Sequence, residues 1–236
     1  MTINLISGPR NISTALMYSF AQRSDTTVLD EPFYAVYLLK SGANHPGREE
    51  VIDGLPGKEA DVRAMIRALA TAPVQFIKNM AHHMEVLENP YMENALDVFL
   101  IRNPRQIIAS YSKVIEKPIM RDIGIEYQYR LFKHLVSSGK RPVVIDSGEI
   151  LADPARALQA LCEACGIPFE QRMLHWPAGP KPYDGVWATH WYKNVHASTG
   201  FETKQVAQEP LPESLKPLYE QALAIYEKLL PFSLKA

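Results

Sequence analysis

Short apolar runs alternate along this chain with longer stretches in which apolar residues recur every three or four positions. The runs Ile3–Ser7, Thr26–Leu29, Val74–Lys78, Val98–Arg102 and Val143–Asp146 have the length and composition of strands. Val98 to Ile101 is apolar without a break, as in a parallel strand buried on both faces. Ser13–Arg23, Pro32–Leu39, Lys58–Ala70, Pro104–Val114, Asp122–Ser138 and Asp153–Cys165 read as helices. Asp153-Pro154 supplies a helix cap followed by a first-turn proline, and Gly166 a stop. Pro212–Leu230, with Leu215, Leu218, Ala222, Ile225 and Leu229 at helical spacing, predicts a closing amphipathic helix. Strand–helix alternation predicts one α/β domain over residues 1–236: a central parallel β-sheet flanked by helices in three layers. Residues 41–57, with four glycines and two prolines, read as a long surface loop, and 42–57 as a lid over substrate.

Composition narrows the class. At 236 residues, 47% hydrophobic and 22% charged, the chain can bury a substantial core. A net charge of −1 argues against a broad nucleic-acid surface, while leaving room for a local basic pocket. No apolar run approaches membrane-spanning length, and MTINLISGPR lacks the basic and apolar regions of a signal peptide, so a cytoplasmic location is expected. Cys162 and Cys165 fall one turn apart in a helical run beside Leu158 and Leu161, which favours buried, reduced core residues over a metal or redox pair. No metal site is expected.

Two strand–turn–helix junctions carry candidate chemistry. The first is Ser7–Thr14, SGPRNIST. A helix start offers unpaired N–H groups and the positive end of the dipole, to which Arg10, Ser13 and Thr14 add a charge and two hydroxyls. Gly8 to Thr14 has the length and ending of a phosphate-binding P-loop, but Ile12 stands for its second glycine and Ser13 for its lysine. An ordinary strand-to-helix turn would look much the same. The second junction places Arg102 at a strand end, Asn103 and Pro104 at the helix start, and Ser110 about two turns on.

RNPRQIIAS, residues 102–110, resembles the motif by which sulfotransferases hold the 3′-phosphate of 3′-phosphoadenosine 5′-phosphosulfate (PAPS). GPRNIST is similar to that family's 5′-phosphosulfate loop through Pro9, Arg10, Ser13 and Thr14, and departs from it at Asn11 and Ile12. VVIDSGEILADPARALQALCEACGIPF resembles the family's strand, acidic turn and following helix, and the likeness extends over most of residues 1–175. The resemblance implies a P-loop NTPase-like sulfotransferase fold of the bacterial cytosolic kind. It also implies transfer of the sulfuryl group of PAPS to a hydroxyl or amine of a small acceptor, with PAP as product and no metal. Cofactor contacts then fall on Arg10, Asn11, Ile12, Ser13, Thr14, Arg102, Ser110 and Lys193.

On the same resemblance, Arg10 neutralises charge on the bridging oxygen, and Lys78 occupies the family's active-site lysine position. Met80 stands where many members have a histidine, so the proton acceptor is open between His82, His83 and Glu31. All three tryptophans lie in 176–200 with Tyr183, Tyr192, Lys193 and His196 interleaved, which reads as an aromatic cap or adenine wall, or as plain loop packing. Two other classes stay open: a P-loop-type ATP phosphotransferase, weakened by the missing Gly-Lys, and a catalytically silent nucleotide-binding or interaction module. Monomer and homodimer are both compatible with the residues.

Overall fold

The computed structural model describes every residue except 113, 114, 116, 203–210 and 236. The first half of the chain runs β1 (Thr2–Ser7), α1 (Ser13–Phe20), β2 (Thr26–Asp30), α2 (Tyr34–Ser41), α3 (Arg48–Gly54), α4 (Glu59–Ala68), β3 (Val74–Met80), α5 (Ala81–Glu85) and β4 (Ala95–Ile101). It continues through α6 (Pro104–Tyr111), α7 (Met120–Ile123), α8 (Ile125–Ser137), β5 (Val143–Asp146), α9 (Ser147–Ala152) and α10 (Pro154–Ala164). Two short helices, α11 (Ala188–Trp191) and α12 (Lys193–His196), precede the closing α13 (Lys216–Leu229).

The five strands pair in parallel in the order β2-β3-β1-β4-β5. Successive side chains of a strand point to opposite faces, so each face collects its own core. Ile6, Ile77, Phe99 and Ile101 pack toward α6, α8 and α13. Ile3, Leu5, Phe76, Val98 and Leu100 pack toward α1 and α10. Helix, sheet and helix form the three layers expected, and Cys162 and Cys165 are buried, unbridged members of the second core.

An amide–carboxylate chain crosses the sheet. Asn79 donates to Asn4 (2.8 Å) and Asn4 to Asp97 (2.7 Å) across three strands. Gln128 of α8 donates to the Ile6 and Leu100 carbonyls (2.8 and 3.1 Å), satisfying the upper ends of β1 and β4.

Four expectations need correction. Residues 48–54 form a helix inside the stretch read as a loop; its glycines and prolines sit at the flanks, and Val51 is fully buried. The expected helix 122–138 is broken at Gly124, whose φ of 77° ends α7. The first helix stops at Phe20, because Arg23 leaves helical register to pair with Asp25 (2.9 Å). Residues 147–152 are helical where no helix was expected, and 81–85 form a further short helix. The expected helix Pro104–Val114 ends at Tyr111, and its last two positions, 113 and 114, lie outside the described residues.

Candidate active site

Strand order reverses around β1, and crevices at such switch points, beyond the carboxyl ends of the strands, are where α/β sheets bind ligands. A cavity of about 970 Å³ lies there, lined by both junctions, the ends of β2 and β3, α5 and the 187–202 segment.

The first junction is held close to the sheet. A Cβ on Gly8 would lie 2.5 Å from the Ile123 carbonyl oxygen, so only glycine lets α7 approach this loop. Asn11 donates to the Leu100 carbonyl (3.0 Å) while its own Oδ1 accepts from the Ile12 N–H (3.0 Å), tying the loop to β4. That anchor gives a structural role to asparagine at a position where the chain departs from the motif it resembles. Arg10 adopts φ 53°, left-handed backbone that costs a non-glycine residue about 1–2 kcal/mol.

The two junctions are stitched together. Arg10 Nε donates to Ser110 Oγ (3.0 Å), and Arg102 Nη1 donates to the Arg10 carbonyl (2.6 Å) while its Nε bonds Gln106 (2.8 Å). Asn103 caps α6 by accepting from the Arg105 N–H (3.0 Å). Arg10, Ser13, Thr14, Arg102, Arg105 and Ser110 all line the cavity.

At the other end lies a buried charge cluster. β2 pairs with β3 so that Asp30 sits opposite Lys78. Lys78 Nζ bonds Asp30 Oδ1 (2.9 Å), Glu31 Oε1 and the Tyr192 hydroxyl (2.7 Å). Tyr192 in turn donates to Asp30 (2.7 Å) and accepts from Trp187 Nε1 (3.1 Å). Burial opposes the Lys78 ammonium, but Asp30 and Glu31 outweigh it and raise its pKa. Glu31, with φ 41°, is 7% exposed and lines the cavity. Burial raises its carboxyl pKa, and the Lys78 charge only partly offsets that.

His82 and His83 also line the cavity. Burial pushes His82 down to about 3 and His83 well below its usual range, so both are neutral imidazoles. The structure therefore joins Arg10, Arg102 and Ser110 through hydrogen bonds and Glu31 to Lys78, with Thr14 reaching Tyr192 of the charge cluster, and Ser13 and His82 line the same cavity. Met80 lines the cavity as well, while Lys193 is exposed and is not among the lining residues. From 42–57 only His45 reaches the cavity among the described residues. Trp187, Trp191 and Tyr192 do line it, docked with α2 and α3 in a separate aromatic core.

Asp30 was not anticipated as a site residue, and Tyr192 was read only as part of an aromatic cap, not as a partner of Lys78. The β2–β3 register that pairs Asp30 with Lys78 depends on strand order, and Tyr192 comes from 114 residues beyond Lys78.

Fold and cleft define the class: a P-loop-like, three-layer α/β protein with two basic, hydroxyl-bearing loops facing one cavity. The chain belongs to the sulfotransferase domain family, which it matches over residues 1–230. It is 39% identical over 225 residues to branched-chain-amino-acid aminotransferase-like protein 1 of Arabidopsis thaliana, covering 94% of this chain and 40% of that protein. The second such Arabidopsis protein is 36% identical over 232 residues, covering 96% of this chain and 41% of its own length. The chain thus spans about two fifths of the plant relatives it matches.

Among solved structures, the sulfotransferase domain of the Synechococcus PCC 7002 olefin synthase matches with a TM-score of 0.60 at 16% identity, covering 99% of this chain and 96% of its own. Mouse sulfotransferase SULT7A1, solved in complex with PAP, matches with a TM-score of 0.58 at 11% identity, covering 98% and 89%. At such identities the likeness is one of fold.

Proposed function

We propose that this chain moves the sulfuryl group of PAPS to a small-molecule acceptor. The observation that carries the reading is the pair of stitched junctions: Arg102 and Ser110 of one are both bonded to Arg10 of the other. A ligand with two separated phosphate-type groups suits such a clamp better than one with a single run of phosphates. The lining fits the donor chemically. Ser13 and Thr14 stand at a helix start, and Arg105 Nε is buried beside the same cavity without a hydrogen-bond partner among the described residues.

PAPS supplies a sulfuryl group whose departing phosphate is a stable anion. Arg10 is the residue assigned to charge gathering on that departing oxygen, held in orientation by Ser110. Ser13, Thr14, Arg102 and Ser110 hold the phosphates, and positioning and electrostatics carry most of the rate, as in phosphoryl transfer.

Glu31 is the better proton acceptor of the residues considered. Its raised pKa makes it a stronger base than an ordinary carboxylate, whereas an imidazole pushed to about 3 is a poor one. Lys78 fixes the orientation of Glu31.

Binding of PAP and of ATP with magnesium, measured side by side by calorimetry, tests the reading. Tight PAP binding with weak ATP binding is expected; the reverse sinks it in favour of an ATP phosphotransferase. Transfer of labelled sulfate from PAPS into a metabolite mixture then separates a working transferase from a silent nucleotide-binding module.

A further inference from the structure

The charge cluster beneath the cavity does not sum to zero. Asp30 and Glu31 bring two carboxylates, and Lys78 brings one ammonium. Among the described residues, the groups packed around them add no second cation. His82 and His83 of α5 are neutral, and burial keeps the phenols of Tyr34 and Tyr192 protonated. Asp30 is well supplied, with Lys78, the Tyr192 hydroxyl and the Gly185 N–H (3.3 Å) as donors. Glu31 has Lys78 on one oxygen and the Tyr192 hydroxyl as a further partner, while its other oxygen lies 3.6 Å from His83 Nδ1, too far for a good hydrogen bond. A desolvated carboxylate with an unfilled oxygen draws either a proton or a cation.

The adjoining wall is aromatic. Tyr34, His45, Trp187 and Trp191 line the same cavity, with Tyr34 and Trp187 rings 5.2 Å apart and Tyr34 hydrogen-bonded to His45 (2.8 Å). Aromatic faces and a carboxylate together form a seat for an ammonium group. Neutral imidazoles add polar contact without repelling it.

We propose that the acceptor is a primary amine, seated as its ammonium on the free Glu31 oxygen against Tyr34, Trp187 and Trp191, and that its nitrogen receives the sulfuryl group. The proposal rests on the sulfotransferase reading and narrows its acceptor class. Among the described residues one Glu31 oxygen has no donor within hydrogen-bond reach, so the group that pairs with it is also the one that loses its proton to it. The nitrogen then forms a bond to sulfur as the sulfur–oxygen bond to the 5′-phosphate breaks. The second nitrogen proton passes to the phosphate oxygen so released, leaving a sulfamate and PAP.

The test is equilibrium binding of three near-isosteric probes to the chain saturated with PAP: phenethylamine, 2-phenylethanol and 3-phenylpropanoate. Phenethylamine is expected to bind at least about tenfold more tightly than the alcohol, with the carboxylate weakest. In Glu31→Gln the preference for the amine should vanish while PAP affinity holds. The unmutated chain gives an independent readout. Below the raised pKa of Glu31 the arriving ammonium displaces a proton, so calorimetry in buffers of different ionisation enthalpy should record proton release with the amine and none with the alcohol. Equal affinity for amine and alcohol, no amine binding, or no proton release in a chain that binds PAP overturns the proposal and leaves the sulfotransferase reading intact. Failure to bind PAP defeats that reading instead.

Discussion

Replacing Lys78 by methionine keeps most of the side-chain volume and removes the cation between two buried carboxylates. Lys78 is 1% exposed and contacts Asp30 (2.9 Å), Glu31 and Tyr192 (2.7 Å). Removing one partner of a buried ion pair costs about 3–5 kcal/mol, because the other charge is left without compensation. Asp30 keeps the Tyr192 hydroxyl and the Gly185 N–H, and Glu31 borders the cavity and can take up a proton, so a loss near the lower bound, about 3 kcal/mol, is expected. The sign of the pH dependence follows. Without the ammonium, the Glu31 carboxyl pKa, already raised by burial, rises further above its unfolded value. The folded chain then binds more protons than the unfolded one in that window, and stability falls as pH rises through it. Urea unfolding followed by tryptophan fluorescence should show a larger deficit at about pH 8 than at about pH 5.5. A loss under about 1 kcal/mol at the higher pH, or a deficit that does not change with pH, would refute the ion-cluster account.

Three further outcomes follow from the same geometry. Arg102→Ala should weaken PAP binding by about 1.5–3 kcal/mol through lost charge-assisted hydrogen bonds; unchanged affinity in calorimetry would remove Arg102 from the phosphate site. Glu31→Gln should lower single-turnover sulfuryl transfer by about 10²–10⁴-fold, and more than His82→Gln does; the opposite order would return the proton-acceptor role to the histidine. Val51→Ala should destabilise the fold by about 1–3 kcal/mol by opening space under α3, and a surface-like change within about 0.5 kcal/mol would mean that 48–54 is no packed helix.

What could be read from sequence were features written in consecutive residues. Both junctions announce themselves through a strand, a turn and a cap within ten residues or so of one another, and Arg10, Arg102 and Ser110 do meet. Helix α3 escaped because it buries a single fully enclosed side chain, Val51, and is flanked by Gly47, Leu55 and Pro56; only its seat beneath the aromatic segment makes it worth folding. The charge cluster escaped for a different reason. Asp30, Lys78 and Tyr192 lie on three distant segments, and their meeting depends on β3 inserting between β1 and β2. His82 and His83 looked titratable in sequence, yet burial leaves them neutral.

Among the described residues, two of the three non-glycine residues with left-handed backbone, Arg10 and Glu31, line the cavity, the third being Asn94. Strain of this kind persists only where surrounding contacts over-determine it, and here each side chain is pinned: Arg10 by Ser110, Glu31 by Lys78. If the strain serves to aim a guanidinium, it can be separated from the guanidinium itself. Arg10→Ala and Arg10→Gly both delete the Ser110 hydrogen bond and the charge, but only glycine adopts φ 53° without a Cβ penalty. The glycine variant should therefore be more stable than the alanine variant by about 1 kcal/mol, reversing the usual advantage of alanine, while both lose donor turnover equally. Equal stabilities, or alanine the more stable, would mean that the loop relaxes out of the left-handed region once the arginine is gone, and that the side chain's contacts hold the backbone there.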